Sequence, residues 1–208
     1  FKELLSPNAQ LGGGYQFNKL FGMRLSVNAW QSKAGMKVAD ATYNWKWNYV
    51  APSLDATLDL TNLFGGFNPE RLVSVNLFAG FGANIAFNND AAATAKNAIM
   101  AANDMGGHEP LEYLWDGAKA YMKGSVGTMV DFNLTERLSL GLELAATTLS
   151  DKFNSKKAGN TDWYFNTLAG VKYTFGKKYT KRSVPVEQPT KVVERIIETV
   201  VEVPAQQS

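Results

Sequence analysis

Apolar residues recur at every second position through much of this chain. From residue 73 to 87 each odd position is apolar: Val73, Val75, Leu77, Ala79, Phe81, Ala83, Ile85, Phe87. The even positions between them are mostly small or polar, with Ser74, Asn76, Gly80, Gly82 and Asn84. Successive side chains of a β-strand point to opposite faces, so such a segment has one apolar and one polar face. The same alternation runs through Ala9, Leu11, Tyr15 and Phe17, and through Phe21, Met23, Leu25, Val27 and Ala29. It returns at Leu54, Ala56, Leu58 and Leu60, then at Ala120, Met122, Val126, Val130 and Phe132. Leu138, Leu140, Leu142 and Leu144 form another face, and Trp163, Phe165, Ala169, Val171, Tyr173 and Phe175 the last. The pattern predicts seven strands, each about the 9–11 residues that a tilted strand needs to cross a bilayer. One strand changes phase: Tyr43, Trp45, Trp47 and Tyr49 are odd, whereas Leu54 to Leu60 are even. A bulge near Val50-Ala51-Pro52 would absorb the slip, because proline donates nothing to a ladder.

A soluble sheet also alternates, so the polar face has to decide the solvent. Charged residues make up only 19% of the chain, and the polar faces carry mainly Gly, Ser, Asn and Thr. Such residues suit a narrow lumen better than a water-facing surface studded with Lys and Glu. The apolar faces are uncharged, and aromatics (Tyr15, Phe17, Phe21, Phe132, Tyr173, Phe175) gather toward their ends, as interfacial girdles do. Connections alternate in length: Asn18-Lys19, residues 62–70 and Asn133 to Glu136 are short, whereas 31–42, 88–117 and 150–161 are long. Short periplasmic turns and long outer loops are the habit of outer-membrane barrels. The fold class expected is therefore all-β, an antiparallel up-and-down transmembrane β-barrel over residues 1–180. With Asn18-Lys19 as a periplasmic turn, the first visible strand descends and needs an ascending one before it. Even strand counts then imply eight strands, the first of them missing before Phe1.

Composition narrows the chemistry. The formal charge of +2 gives no reason to expect nucleic acid as a partner, and zero cysteines leave no disulfide or thiolate site. Charges on the polar faces balance, with Arg24, Lys119, Lys123 and Lys172 against Asp55, Asp59, Asp131 and Glu143. Inside a narrow barrel, balanced charge reads as a salt-bridged plug, since unpaired charge there is costly. A gated solute path is the alternative, and acid–base work by paired carboxylates has least in its favour. The one histidine, His108 beside Glu109, reads as a loop surface residue, so no catalytic, cofactor or metal site is expected. Gly12-Gly13-Gly14 and Gly65-Gly66 suit close packing and a tight turn rather than a phosphate loop. The alanine-rich run 91–102 predicts a short helix ahead of Gly106-Gly107. Trp30, Trp45, Trp47, Trp115 and Trp163 fall toward the outer strand ends, as interfacial anchors or as a partner-binding surface.

The last strand reads Gly170-Val171-Lys172-Tyr173-Thr174-Phe175: glycine, two residues, aromatic, one residue, aromatic. It resembles the assembly signal of outer-membrane proteins, with Leu168 departing from the usual polar residue. A proline-spaced tail follows over 181–208, repeating an apolar-apolar-Glu unit as an extended linker would. Barrel, signal strand and periplasmic tail together resemble the OmpA family. The resemblance implies recognition of Gly170, Tyr173 and Phe175 by the barrel-assembly machinery. It also implies a setting among outer-membrane lipid and lipopolysaccharide. The tail would lead to a peptidoglycan-binding domain not contained in these residues. The function expected is a structural, non-enzymatic outer-membrane anchor. Two alternatives are a narrow porin and an accessory subunit of a surface complex with protein partners at its outer loops.

Overall fold

The computed structural model describes residues 5–102 and 106–176, so the linker expected over 181–208 lies outside the described residues. Seven strands carry the fold: β1 (Asn8–Gln16), β2 (Phe21–Val38), β3 (Ala41–Asp59), β4 (Val73–Phe87), β5 (Lys119–Asn133), β6 (Leu138–Leu149) and β7 (Asp162–Tyr173). Two helices interrupt them, α1 (Leu60–Gly65) and α2 (Asp90–Ala102), the latter where the alanine run predicts one. Each strand pairs antiparallel with the next, in the order β1 to β7. The sheet curls round an interior, because Arg24 of β2 reaches Glu143 of β6 and Asn84 of β4 reaches Tyr164 of β7. It is not closed: β1 and β7 share no ladder.

Short turns are set by side chains that satisfy the backbone locally. Asn18 Oδ1 accepts from the N–H groups of Leu20 and Phe21 at 2.8 and 2.9 Å, making the β1–β2 turn. Thr135 Oγ1 does the same for Arg137 and Leu138 between β5 and β6. Asp59 caps α1 by accepting from Asn62 N at 2.7 Å, and Gly66, with φ +69°, ends that helix.

Two expectations need correction. The bulge near Pro52 does not exist. The β2–β3 register runs unbroken from Val38↔Ala41 to Phe21↔Leu58, and β4 stays in step either side of Pro52, from Val50↔Ile85 to Ser53↔Gly82. Odd positions of β3 point inward throughout, so Trp45, Trp47 and Tyr49 share a face with Ser53 and Asp55. The apparent phase change arose because the outer part of β3 is apolar inside and polar outside, with Thr42, Asn44, Lys46 and Asn48 facing out, the reverse of the belt. Second, residues 31–42 are not a loop. They extend β2 and β3 into a projecting hairpin that turns only at Ala39-Asp40.

The outward rows stay apolar on all seven strands. Leu11, Phe81, Met122, Phe165 and Val171 are each more than 60% exposed, and Leu25, Val126 and Leu144 more than half. A soluble monomer's largest apolar patch covers a few hundred Å². A belt on every strand calls for an apolar solvent. From Val73 to Ile85 the outward row of β4 covers roughly 40 Å of strand. Tilted by about 40°, that spans roughly the thickness of a bilayer's hydrocarbon core. Tyr15, Phe17, Phe21, Phe132, Tyr173 and Phe175 all lie at the short-turn end of this belt, and Tyr15–Phe17 and Tyr173–Phe175 pair edge-on at 5.4 and 5.0 Å.

Candidate functional site

The interior is filled at three levels, and the middle one gathers most of the charge. Arg24 is its hub. Its Nε and Nη2 donate to Asp55 Oδ2 at 3.0 and 2.8 Å, and its Nη1 to Glu143 Oε2 at 2.5 Å. Ser53 Oγ holds the other Asp55 oxygen at 2.9 Å, and Gln10 Nε2 of β1 donates to Glu143 at 3.1 Å. The guanidinium also lies 4.5 Å from the centroid of the Phe78 ring and donates to Met129 Sδ. Side-chain exposure is 2% for Asp55, 12% for Glu143 and 14% for Arg24, so neither carboxylate is served mainly by water. One bidentate cation neutralises one acid and half-serves a second, which keeps the group satisfied inside a narrow lumen.

Two glycines make room for this cluster. A Cβ on Gly80 would collide with the Asp55 carboxylate and the Leu54 carbonyl. A Cβ on Gly127 would collide with the Phe78 ring, which therefore lies over bare backbone. Toward the short turns, Lys172 pairs with Asp131, which also accepts from Asn76 Nδ2. Below that pair, Asn133 donates to Ser74 Oγ at 3.0 Å and accepts from Ser139 Oγ at 2.8 Å.

The outer level is a compact aromatic cap. Trp45, Trp47, Trp115, Leu111, Leu149 and Phe153 are buried together with Ala92 and Ala95 of α2. Phe153 meets Trp47 edge-on at 5.1 Å and Tyr121 at 5.8 Å. The indole N–H groups of Trp45 and Trp115 donate to the carbonyls of Asn154 and Phe153, at 3.1 and 3.2 Å. Asp162 fastens the same loop by accepting from Asn154 N and Nδ2. Beneath the cap, Tyr49 Oη donates to Asn28 Oδ1 at 2.5 Å, and Ser125 meets Thr147 at 3.0 Å.

Of the eight charges expected to line the lumen, the structure brings Arg24, Asp55 and Glu143 into one cluster and Asp131 and Lys172 into a second. Lys123 is buried in the same field as Arg24, Asp55 and Glu143, with no ion pair among the described residues. Asp59 and Lys119 stand elsewhere. Asp59 spends its carboxylate on Thr61, Asn62 and the start of α1, because β3 ends there. Lys119 opens β5 at the outer rim and is exposed. Gly170 lies in the β7 ladder opposite Gly141, with Tyr173 and Phe175 exposed beyond it. The tryptophans divide: Trp30 and Trp163 are exposed, while Trp45, Trp47 and Trp115 form the cap rather than anchors. Phe78, Met129 and Gln10 are interior partners that the alternation did not single out. Phe78 carried a signal, being the one aromatic in the even row of β4.

An apolar belt outside, paired charges within, and an antiparallel up-and-down sheet define the class of outer-membrane β-barrels, here open between β1 and β7. The chain is similar to outer membrane protein 40 of Porphyromonas gingivalis, with 27% identity over 192 residues. That match covers 90% of this chain and 44% of the relative, so the chain spans less than half of that protein's length. No family model matches the sequence, and no solved structure matches it.

Proposed function

We propose that this protein is an outer-membrane anchor whose barrel is closed to solutes. The observation that carries the reading is double closure: an aromatic cap over the outer mouth, and an Arg24–Asp55–Glu143 cluster across the middle. Opening a path would require unpacking several large rings and separating buried ion pairs. The seam between β1 and β7 is read as the place of an eighth strand, since unpaired edge backbone in hydrocarbon costs several kcal/mol per group. The proline-spaced tail and the OmpA-like pattern support a tether to peptidoglycan. A narrow pore is the second reading, favoured by Lys123, a buried cation beside the hub without a direct ion pair.

Conductance of the full-length protein in planar bilayers separates the two. A closed anchor gives no openings, or rare small ones. Frequent steady openings overturn it in favour of the pore. The tether is tested by cosedimentation with purified peptidoglycan. The full-length protein is expected in the pellet, and a version ending at residue 176 in the supernatant. Equal partitioning of the two would remove the tethering role.

A further inference from the structure

We infer that α1 is a foot that lies in the periplasmic leaflet and sets the depth of the barrel at its short-turn end, a proposal that rests on the membrane reading above. The sequence builds this helix inside out. Leu60, Leu63 and Phe64 share one side by their i, i+3, i+4 spacing, and Phe67 follows just past the helix end. The polar residues between them are bonded to the barrel. Thr61 Oγ1 donates to Asp59 Oδ1 at 2.6 Å and accepts from Val75 N of β4 at 3.3 Å. Asn62 Nδ2 donates to the Lys19 carbonyl of the β1–β2 turn at 2.9 Å. A helix on a water-facing surface turns its apolar stripe to the core. Here the polar side is spent on protein and the apolar side is left out, with Leu63 45%, Phe67 43% and Phe64 82% exposed.

Position identifies what covers that side. The outward row of β3, Leu54, Ala56 and Leu58, runs directly into Leu60 and the helix stripe, so the apolar surface continues the belt. Leu58 is also paired with Phe21, one of the aromatics at this end. An amphipathic segment in such a place sinks its apolar side about 5–10 Å into the boundary between headgroups and acyl chains. Lys19 Nζ lies 5.5 Å from the Phe67 ring centroid, so its stem covers the ring while its head reaches headgroup level. The foot is held stiffly at both ends. Asp59 caps its start, and Arg71 Nη2 donates to the carbonyls of Gly65 and Gly66 at 3.3 and 2.8 Å. The β1–β2 and β5–β6 turns carry no helix, so the support is one-sided, under β3 and β4.

The test uses the full-length protein in phospholipid vesicles, with a nitroxide on one introduced cysteine: F64C, E70C or V126C. Collisions with oxygen and with a water-soluble nickel complex are read at each. V126C reports the belt, and E70C, exposed just beyond the foot, reports water. F64C should behave like V126C, with nickel collisions several-fold below those at E70C. Nickel reaching F64C as freely as E70C, with V126C still shielded, refutes this proposal alone. Shielding of F64C from both reagents also overturns it, because Phe64 would then lie against protein. Nickel reaching V126C refutes the membrane reading beneath it. A second variant, L63S/F64S, should still insert and show the heat-modifiable gel shift. A nitroxide at F21C should then collide with nickel several-fold more often than without the serines, as that end rides out of the leaflet. Unchanged collisions at F21C would overturn the depth-setting role.

Discussion

Arg24 holds together charges contributed by strands far apart in sequence, and this makes it the interior residue most sensitive to change. Arg24→Met would leave Asp55 and Glu143 without a directly paired cation, with only Lys123 nearby. Stripping one partner from a buried ion pair costs about 3–5 kcal/mol, and urea unfolding of the protein in vesicles should show a loss of that size. A loss below about 1 kcal/mol would mean that water already serves the acids. A second residue-scale expectation concerns the long outer loop. Lys96 Nζ of α2 pairs with Glu109 at 2.8 Å, and the ammonium holds the Glu109 carboxyl below its ordinary range. A lowered carboxylate stabilises the folded loop above its ordinary titration and loses that contribution as acid protonates it. Hydrogen exchange in residues 106–118 should therefore be faster relative to the barrel at about pH 3 than at pH 7. K96M should abolish the difference, and a difference that survives K96M would assign it to another group. The inward charges Arg24, Asp55 and Glu143 were legible from parity alone. Their pairing was not, because it depends on the β2–β3 register that sets Arg24 beside Asp55 and on β6 meeting β2 across the lumen. Asp59 and Lys119 share the inward parity yet lie at strand ends, which alternation does not mark.

Strands obey two different rules along their length. In the belt, outward residues meet lipid and inward ones are small or polar, so period two is plain and all seven strands were legible. Beyond the belt, β2 and β3 continue into the aqueous side, where apolar residues turn inward to form the cap. Tyr43 to Tyr49 therefore looked out of phase with Leu54 to Leu60, although the backbone never slips. The two rules yield separable expectations. Val126→Arg places a cation in the belt and should cost about 2–4 kcal/mol or block insertion, read by the heat-modifiable gel shift. Phe153→Ala instead removes the ring that joins Trp47 and Tyr121, leaving the belt intact. It should keep the gel shift but speed hydrogen exchange in 150–161 and α2, at a local cost of about 3–5 kcal/mol. If exchange there were unchanged, the cap would not be a cooperative unit.

At the scale of the whole molecule, the same sheet separates two solvents and fills its own interior. The outside is fit for lipid because every strand keeps one apolar row. Inside, ion pairs and an outer aromatic cap fill space that glycines leave open. That filling is the basis of the proposed closed barrel. The absence of native cysteines lets single cysteines be introduced along β4 without background labelling. The most direct measurement is therefore a nitroxide scan from Val75 to Ile85 in vesicles, passing over Gly80 and Gly82 where no Cβ fits, and reading collisions with oxygen and with a water-soluble nickel complex. Odd positions should meet oxygen and exclude nickel, while even positions meet neither. Nickel reaching the odd positions would place that face in water and contradict the membrane-spanning barrel.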